Sequence, residues 1–252
     1  MERYRLIEVD TTESTNTYAR NMPAVADDTT PAVVITDKQT AGRGQRGNSW
    51  ESEPGRNLTF SLVVYPRWLA PAHQFELSML VSIGLINGLR SFVNEPERMK
   101  IKWPNDIYYD DRKLAGILIE NTLGQSCIER SIIGIGINVN QTEFVNDAPN
   151  PISLVHTTGS EADRRAVLSS VVNNILDMIE QYADDPEVDE LTYLYNNLLW
   201  RKDGATHRWH DTATDTDFDA VIEGVESDGR LTLRDADGQA RSYLFKEVSA
   251  VL

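Results

Sequence analysis

Apolar positions along the chain switch between the two periods that mark strands and helices. Tyr4 to Val9 reads as a short strand, and the polar Thr/Ser/Asn stretch behind it can open a helix near Glu13. Pro31 to Thr36 (PAVVIT) is a compact β-branched run, the signature of a buried strand, and Asn57 to Val64 (NLTFSLVV) is the next. From Phe75 to Val93 the period lengthens: Phe75, Met79, Leu80, Ile83, Ile86, Leu89 and Val93 form a helical stripe. Met99 to Trp103, Lys113 to Glu120 and Cys127 to Val139 return to strand, with the polar turn Asp110-Asp111-Arg112 between the first two. A second helix spans Arg164 to Tyr182, with Val167, Val171, Ile175, Met178 and Tyr182 on one face. Ser160 and Asp163 before it resemble a capping box. Asp185-Pro186 opens a third helix with proline in its first turn, and Leu191, Leu194, Leu198 and Leu199 supply its apolar side.

Past Asp203-Gly204 the pattern changes to short alternating runs, Asp219 to Val225, Arg230 to Arg234 and Arg241 to Phe245. Ser227-Asp228-Gly229 and Asp237-Gly238 separate them, and Asp-Gly between alternating runs is a strong hairpin signal. The expectation is a small β-barrel or β-sandwich (203–252) behind a larger domain (1–202) that mixes strands and helices. No internal repeat or low-complexity segment interrupts this plan.

Composition narrows the class. Hydrophobic residues make up 40% and charged residues 25% of 252 residues, an ordinary globular mix long enough to bury a core unaided. The single cysteine, Cys127, excludes a disulfide framework within the chain and suits a reducing compartment. No run reaches the roughly 18 apolar residues of a membrane span, and the start Met1-Glu2-Arg3-Tyr4-Arg5 lacks the apolar core of a secretory signal. The chain is expected in the cytoplasm, away from membranes. A formal charge of −15 argues against generic nucleic-acid binding, which needs a basic face, while leaving room for a local cationic pocket.

Candidate chemistry gathers at strand ends. Gly42-Arg43-Gly44-Gln45-Arg46-Gly47 satisfies G-x-G-x-x-G, but it leads to Trp50 and then a strand rather than a helix, and positions 60–67 hold no acid. The dinucleotide reading therefore fails, and no Gly-Lys-Ser/Thr supports a Walker loop. What remains is a glycine loop carrying Arg43 and Arg46, flanked by Lys38 and Arg56. It is either a solvated surface loop or an anion-binding one. In Lys102-Trp103-Pro104-Asn105-Asp106 a proline follows a strand, and Lys113 stands seven residues beyond Asp106. A hairpin turning at Asp110-Asp111 would set Asp106 and Lys113 across from one another, as a surface ion pair or as a pair that orients a carboxylate and a phosphate. Ser14-Thr15-Asn16 are helix-cap residues or ligand donors. The glycines of Gly134-Ile135-Gly136-Ile137-Asn138 mark a strand end or a close ligand approach.

Taken in order, Glu13-Ser14-Thr15-Asn16, Gln39-Thr40-Ala41-Gly42-Arg43-Gly44-Gln45-Arg46-Gly47, Lys102-Trp103-Pro104-Asn105-Asp106, Lys113-Leu114-Ala115-Gly116-Ile117-Leu118 and Gly136-Ile137-Asn138 resemble the successive motifs of biotin–protein ligases. The likeness runs from about Glu8 to the C-terminus. It implies an α+β fold: a mixed sheet with helices, like that of class II aminoacyl-tRNA synthetases and biotin ligases, plus a small C-terminal SH3-like β-barrel. By the resemblance, Ser14, Thr15, Asn16 and Gln39 would bond the ureido ring of biotin, with Gly42, Arg43, Gly44 and Gln45 closing over it and Gly116 allowing its approach. Lys113 would meet biotin's carboxylate and the α-phosphate of ATP. Arg43, Arg46, Trp50, Trp103, Asn105 and Asn138 would hold the adenylate, and 141–152 would close over adenine. Position 45 is Gln where many members of the family carry Arg, and position 48 is Asn where some do; either Arg43 and Arg46 retain the acyl-adenylate, or the enzyme holds its intermediate less tightly. With its first ligase strand at about Tyr4, the chain looks like the monofunctional type without an N-terminal DNA-binding domain.

The chemistry implied is adenylation of biotin by ATP, then transfer to a lysine of a biotin carboxyl carrier protein. Arg43, Arg46 and Lys113 would offset charge, and Asp106 would orient or deprotonate the incoming amine. Mg²⁺ would be held by phosphates and water, with no all-protein metal site. Loop 42–48 is expected to order on ligand binding. A homodimer is left open. A lipoate or octanoate ligase and a non-catalytic biotin sensor are the competing readings; the missing DNA-binding domain opposes the sensor, and the KWPND run favours biotin.

Overall fold

The computed structural model describes residues 3–23, 29–44, 49–144 and 150–251. Strands β1 (Arg5–Thr12), β2 (Ala32–Gln39), β3 (Leu58–Val64), β4 (Met99–Lys102), β5 (Asp106–Tyr109), β6 (Arg112–Leu123) and β7 (Ile128–Ile137) form one sheet in the order β1-β2-β3-β7-β6-β5-β4. Only β1 and β2 pair in parallel, joined through helix α1 (Thr15–Asn21), as a crossover connection requires. The other ladders are antiparallel.

Strand alternation sorts the sheet into two faces. On one, Leu58, Phe60 and Leu62 of β3, Ile133, Ile135 and Ile137 of β7, and Ala115 and Ile117 of β6 join the main core. Helices α2 (Gln74–Leu89), α4 (Arg164–Asp184) and α5 (Val188–Asn197) complete that core. On the other face α1 covers a small second core of Ala19, Ala32, Val34, Val63 and Ile132, and much of the rest of the face is polar or glycine. That second face carries the site.

The helical stripe expected from Phe75 to Val93 becomes α2, but the helix is buried nearly all round, including Leu77, Val81 and Leu85, which lie off the stripe. It is enclosed by α4, α5 and strands β4 and β5, so a one-faced reading understates it. Gly84 and Gly88 let α4 come close: an added Cβ would lie 2.7 Å from Ile175 Cα and 2.5 Å from Val171 Cα. The cap of α4 is Asp163, whose carboxylate accepts from the Arg165 amide at 2.9 Å; the Ser160 box does not form. Pro186 precedes the N-cap Glu187 of α5 instead of sitting in the first turn. Its buried residues are Leu191 and Tyr195, while Leu194 is exposed and Leu198 and Leu199 follow the helix. The short helix α3 (Leu154–Thr158) was not apparent from periodicity, because one turn carries no period to read.

The C-terminal segment forms β8 (His207–Asp211), β9 (Thr216–Val225), β10 (Leu231–Asp235), β11 (Ala240–Tyr243) and β12 (Val248–Ala250), all antiparallel, in the order β11-β10-β9-β8-β12. Both Asp-Gly hairpins form, with Gly229 and Gly238 at φ 91° and 80°. Among the described residues no ladder joins β11 to β12, so this is an open sheet and not a closed barrel. It docks on α5 through Asn196, whose side-chain amide exchanges two hydrogen bonds with the Val225 backbone at 2.8 and 2.9 Å. A third contact runs from the Trp103 indole N–H to Gly229 O at 2.9 Å. Among the described residues no helix is long and apolar enough to cross a membrane.

Candidate active site

Sheet register lays out the site. Thr59 of β3 stands opposite Gly136 of β7, Gly136 opposite Gly116 of β6, Gly116 opposite Asp106 of β5, and Asp106 opposite Lys102 of β4. One row thus crosses five strands on the polar face, with two glycines at its centre. The adjacent row, Ser61-Gly134-Leu118, adds a third glycine. A cavity of about 530 Å³ lies along this trench, bounded by Ser14, Thr15, Asn16 and Gln39 at one end and by Lys102, Trp200, Thr212 and Lys246 at the other.

At the first end, Ser14 is the N-cap of α1, yet its hydroxyl makes no capping bond and lines the cavity. Gln39 does the capping from β2: its Oε1 accepts from the Thr15 amide at 2.8 Å and lies 3.3 Å from the Thr15 hydroxyl. Asn16 is fully engaged. The buried Ser61 hydroxyl lies 2.6 Å from Asn16 Oδ1 and 2.7 Å from the Thr15 hydroxyl, while Asn16 Nδ2 donates to Glu120 at 2.8 Å and to Leu118 O at 3.4 Å. These bonds fix which way the Asn16 amide faces. Its Oδ1 sits over Gly134, where a Cβ would be 2.4 Å away.

Gly42 and Trp50 anchor the glycine loop, with the Trp50 amide donating to Gly42 O at 3.0 Å and Arg43 bridging to Ser49. This strand-like closure confirms that the described part of the loop opens no helix. Arg43 donates to the Thr17 hydroxyl at 3.0 Å and stands 3.8 Å from Glu120; Gly44 lines the cavity. Gln45, Arg46 and Asn48 lie outside the described residues, as does most of the expected ordering loop and 145–149 of the adenine loop. Of the flanking cations, Arg56 turns to Glu161 and to Asn140 O, both at 2.7 Å, away from the trench.

Trp50 lies flat in the middle. A Cβ on Gly136 would meet its ring at 2.2 Å, and one on Gly116 would meet Trp50 and Lys113 at 3.3 Å. Its indole N–H is buried with no hydrogen-bond partner among the described residues. The Lys113 ammonium is 5.8 Å from the ring centre. Lys113 and Asp106 form an ion pair at 2.8 Å, both sides partly buried. They are not opposite in register: a bulge after Ile107 sets Lys113 against Tyr108, and the long side chain reaches back to Asp106. Asp110 takes the left-handed turn position at φ 53°.

The remaining expected residues divide. Trp103 lines the cavity edge-on to Phe245, 6.0 Å between ring centres, after which comes a cis peptide to Pro104. Asn105 also lines it, but its amide N–H bonds Ile117 O. Asn138, expected at the adenylate, is buried and does not line the cavity; its amide donates to Ile152 O at 3.1 Å and Lys113 O at 3.3 Å, tying β7 to the start of β6. Residues not singled out from the sequence are Thr59, Ser61 and Glu120, together with the C-terminal wall of Thr212, Phe245 and Ser249. For Ser61 the signal was present, a hydroxyl inside the apolar run NLTFSLVV.

The fold is that of the biotin protein ligases. The structure matches the biotin protein ligase from Aquifex aeolicus in complex with biotin and ATP over 98% of both chains, with a TM-score of 0.79 at 24% identity. Residues 8–138 match the model of the biotin/lipoate A/B protein ligase family, and the chain belongs to that family. It is 30% identical over 216 residues to the bifunctional ligase/repressor BirA of Bacillus subtilis, covering 84% of this chain and 64% of that protein. It is 32% identical over 157 residues to a biotin--[acetyl-CoA-carboxylase] ligase of Paracoccus denitrificans, covering 60% of this chain and 63% of that one. The chain therefore spans just under two thirds of the length of these relatives.

Proposed function

We propose that this chain is a biotin–protein ligase, which adenylates biotin with ATP and transfers it to a lysine of a biotin carboxyl carrier protein. The observation that carries the reading is the glycine-centred trench, with hydrogen-bonding groups at one end and the Asp106–Lys113 pair beside its middle. Biotin is an elongated molecule with a polar ring at one end and a carboxylate at the other. Laid across the strands, its ring would meet Ser14, Thr15, Asn16 and Gln39, and its carboxylate would come toward Lys113. The sister substrate lipoate has a disulfide ring without N–H or C=O groups, which would leave those polar side chains unmatched.

In the first step a biotin carboxylate oxygen attacks the α-phosphorus of ATP, and the bond to the bridging oxygen breaks to release pyrophosphate. Lys113 and Arg43, with Arg46 from the loop, offset the charge on the reacting oxygens. Trp50, Trp103 and Asn105 supply walls for the adenylate, and Asn138 braces the backbone that carries Lys113. Gly42, Gly44 and Gln45 complete the loop over biotin, and Gly116 gives the ligand access to the sheet. In the second step the carrier lysine attacks the acyl carbon and AMP leaves. The lysine must first lose a proton, since its usual pKa is about 10.4, and Asp106 would orient the amine or take that proton.

Among the described residues no three His, Cys, Asp or Glu side chains converge on a point. A Mg²⁺ would be carried by phosphates and water, where it would neutralise the triphosphate. We assign 1–202 to catalysis and read 203–252 as an SH3-like unit that closes the far end of the trench, acting in the cytoplasm. The test is labelling of a biotin carboxyl carrier domain with biotin, ATP and Mg²⁺. Label on the carrier lysine that depends on ATP supports the proposal; none, with the same carrier labelled by a known ligase, overturns it.

A further inference from the structure

The cations around the trench are not equivalent. Lys113 faces Asp106 at 2.8 Å and Arg43 faces Glu120 at 3.8 Å. Lys102 also lines the cavity, yet among the described residues no carboxylate lies within ion-pair distance of it. Its ammonium donates to the Tyr108 hydroxyl at 2.9 Å and stands 4.8 Å from the Tyr108 ring centre and 5.4 Å from that of Trp200. Burial, together with repulsion from Lys113 and Arg201, holds its pKa below the usual lysine range despite Asp106 nearby. A half-buried cation whose direct contacts are a phenol and two aromatic faces, with Asp106 already paired to Lys113, is short of negative charge.

Its place in the row says what could supply that charge. Lys102 is directly opposite Asp106, one strand outward from it, and Lys113 reaches the same carboxylate from the strand on its other side, so both lysines approach the trench beside Asp106. We propose that Lys102 is the subsite for the pyrophosphoryl part of a nucleoside triphosphate whose α-phosphate lies at Lys113. This rests on the ligase reading above for its α-phosphate position. When the α-phosphorus takes the acyl oxygen and its bond to the bridging oxygen breaks, the electron pair goes to departing pyrophosphate, and the Lys102 ammonium offsets that charge. Thr212, Lys246 and Ser249 line the same end of the cavity from the C-terminal sheet. The proposal thereby gives that sheet a role as the outer wall of the leaving-group pocket.

The test is calorimetric titration of inorganic pyrophosphate and, separately, of a non-hydrolysable biotinyl-adenylate into the intact chain and its Lys102→Met and Lys102→Arg variants. Loss of one charge-assisted contact predicts about 10- to 100-fold weaker pyrophosphate binding in Lys102→Met, with Lys102→Arg retaining most of it. The biotinyl-adenylate lacks the two outer phosphates and should bind all three proteins alike, which also certifies their fold. Unchanged pyrophosphate affinity in Lys102→Met overturns the proposal. So does equal weakening of both ligands, the mark of a structural role, or no pyrophosphate binding by the native chain. Failure of the ligase reading shows separately, as no binding of biotinyl-adenylate by the native chain.

Discussion

At the residue scale the site depends on side chains that are missing as much as on those present. Gly136 is the sharpest case, because a single methyl would meet the Trp50 ring at 2.2 Å. Gly136→Ala must displace the indole or the strand, at an overpacking cost of about 1–3 kcal/mol. If that cost falls on the ligand-bound arrangement, biotin affinity drops about tenfold, measured by titration; unchanged affinity would mean that Trp50 does not set the trench. Asp106 tests the chemistry. Asp106→Asn removes the charge and the group that can take a proton but keeps the shape, and should slow transfer from preformed adenylate by more than it slows adenylation. Equal slowing would reduce Asp106 to a partner that positions Lys113. The motifs at 14–16, 102–106 and 113–116 were legible in the sequence, because each sits at a strand end with an unusual run of polar residues and glycine. Ser61 left a trace, a hydroxyl within an apolar run, but its partner Asn16 lies 45 positions away, and Glu120 left none, so only register reveals what the two hold.

Among the elements, the central strands and the two long helices follow from apolar runs and periodicity. The misreadings lie at ends and in short pieces. Asp163, one position before α4, caps it because its carboxylate reaches the second helical amide, whereas Ser160 is a turn too early. The lysine opposite Asp106 proved to be Lys102, with Lys113 shifted by the bulge after Ile107, and bulges leave little trace in sequence. The α2–α4 contact makes its own prediction. Gly88→Ala gains about 1 kcal/mol of helix propensity but drives a methyl to 2.5 Å from Val171 Cα. Net destabilisation of about 1–2 kcal/mol in urea melts is expected; stabilisation would show that the two helices can separate freely.

For the whole molecule, two sheets enclose one cavity, and the smaller sheet must stay folded for the far wall to exist. Asp211 helps hold it: its buried carboxylate accepts from the Ala213 and Thr214 amides at 2.9 and 3.1 Å, which lower its pKa below the ordinary range. A carboxylate with a depressed folded-state pKa stabilises the fold above its unfolded value, and that contribution is lost as pH falls through the folded one. Asp211→Asn should therefore cost about 1 kcal/mol near neutrality, with the gap to the native chain closing in acid below the usual carboxylate range. A gap that persists there would assign the effect to packing. The central claim is met most directly by pyrophosphate release from ATP and Mg²⁺, with biotin and lipoate compared side by side. Release that depends on biotin is the predicted result; release with lipoate alone, or with neither, contradicts it.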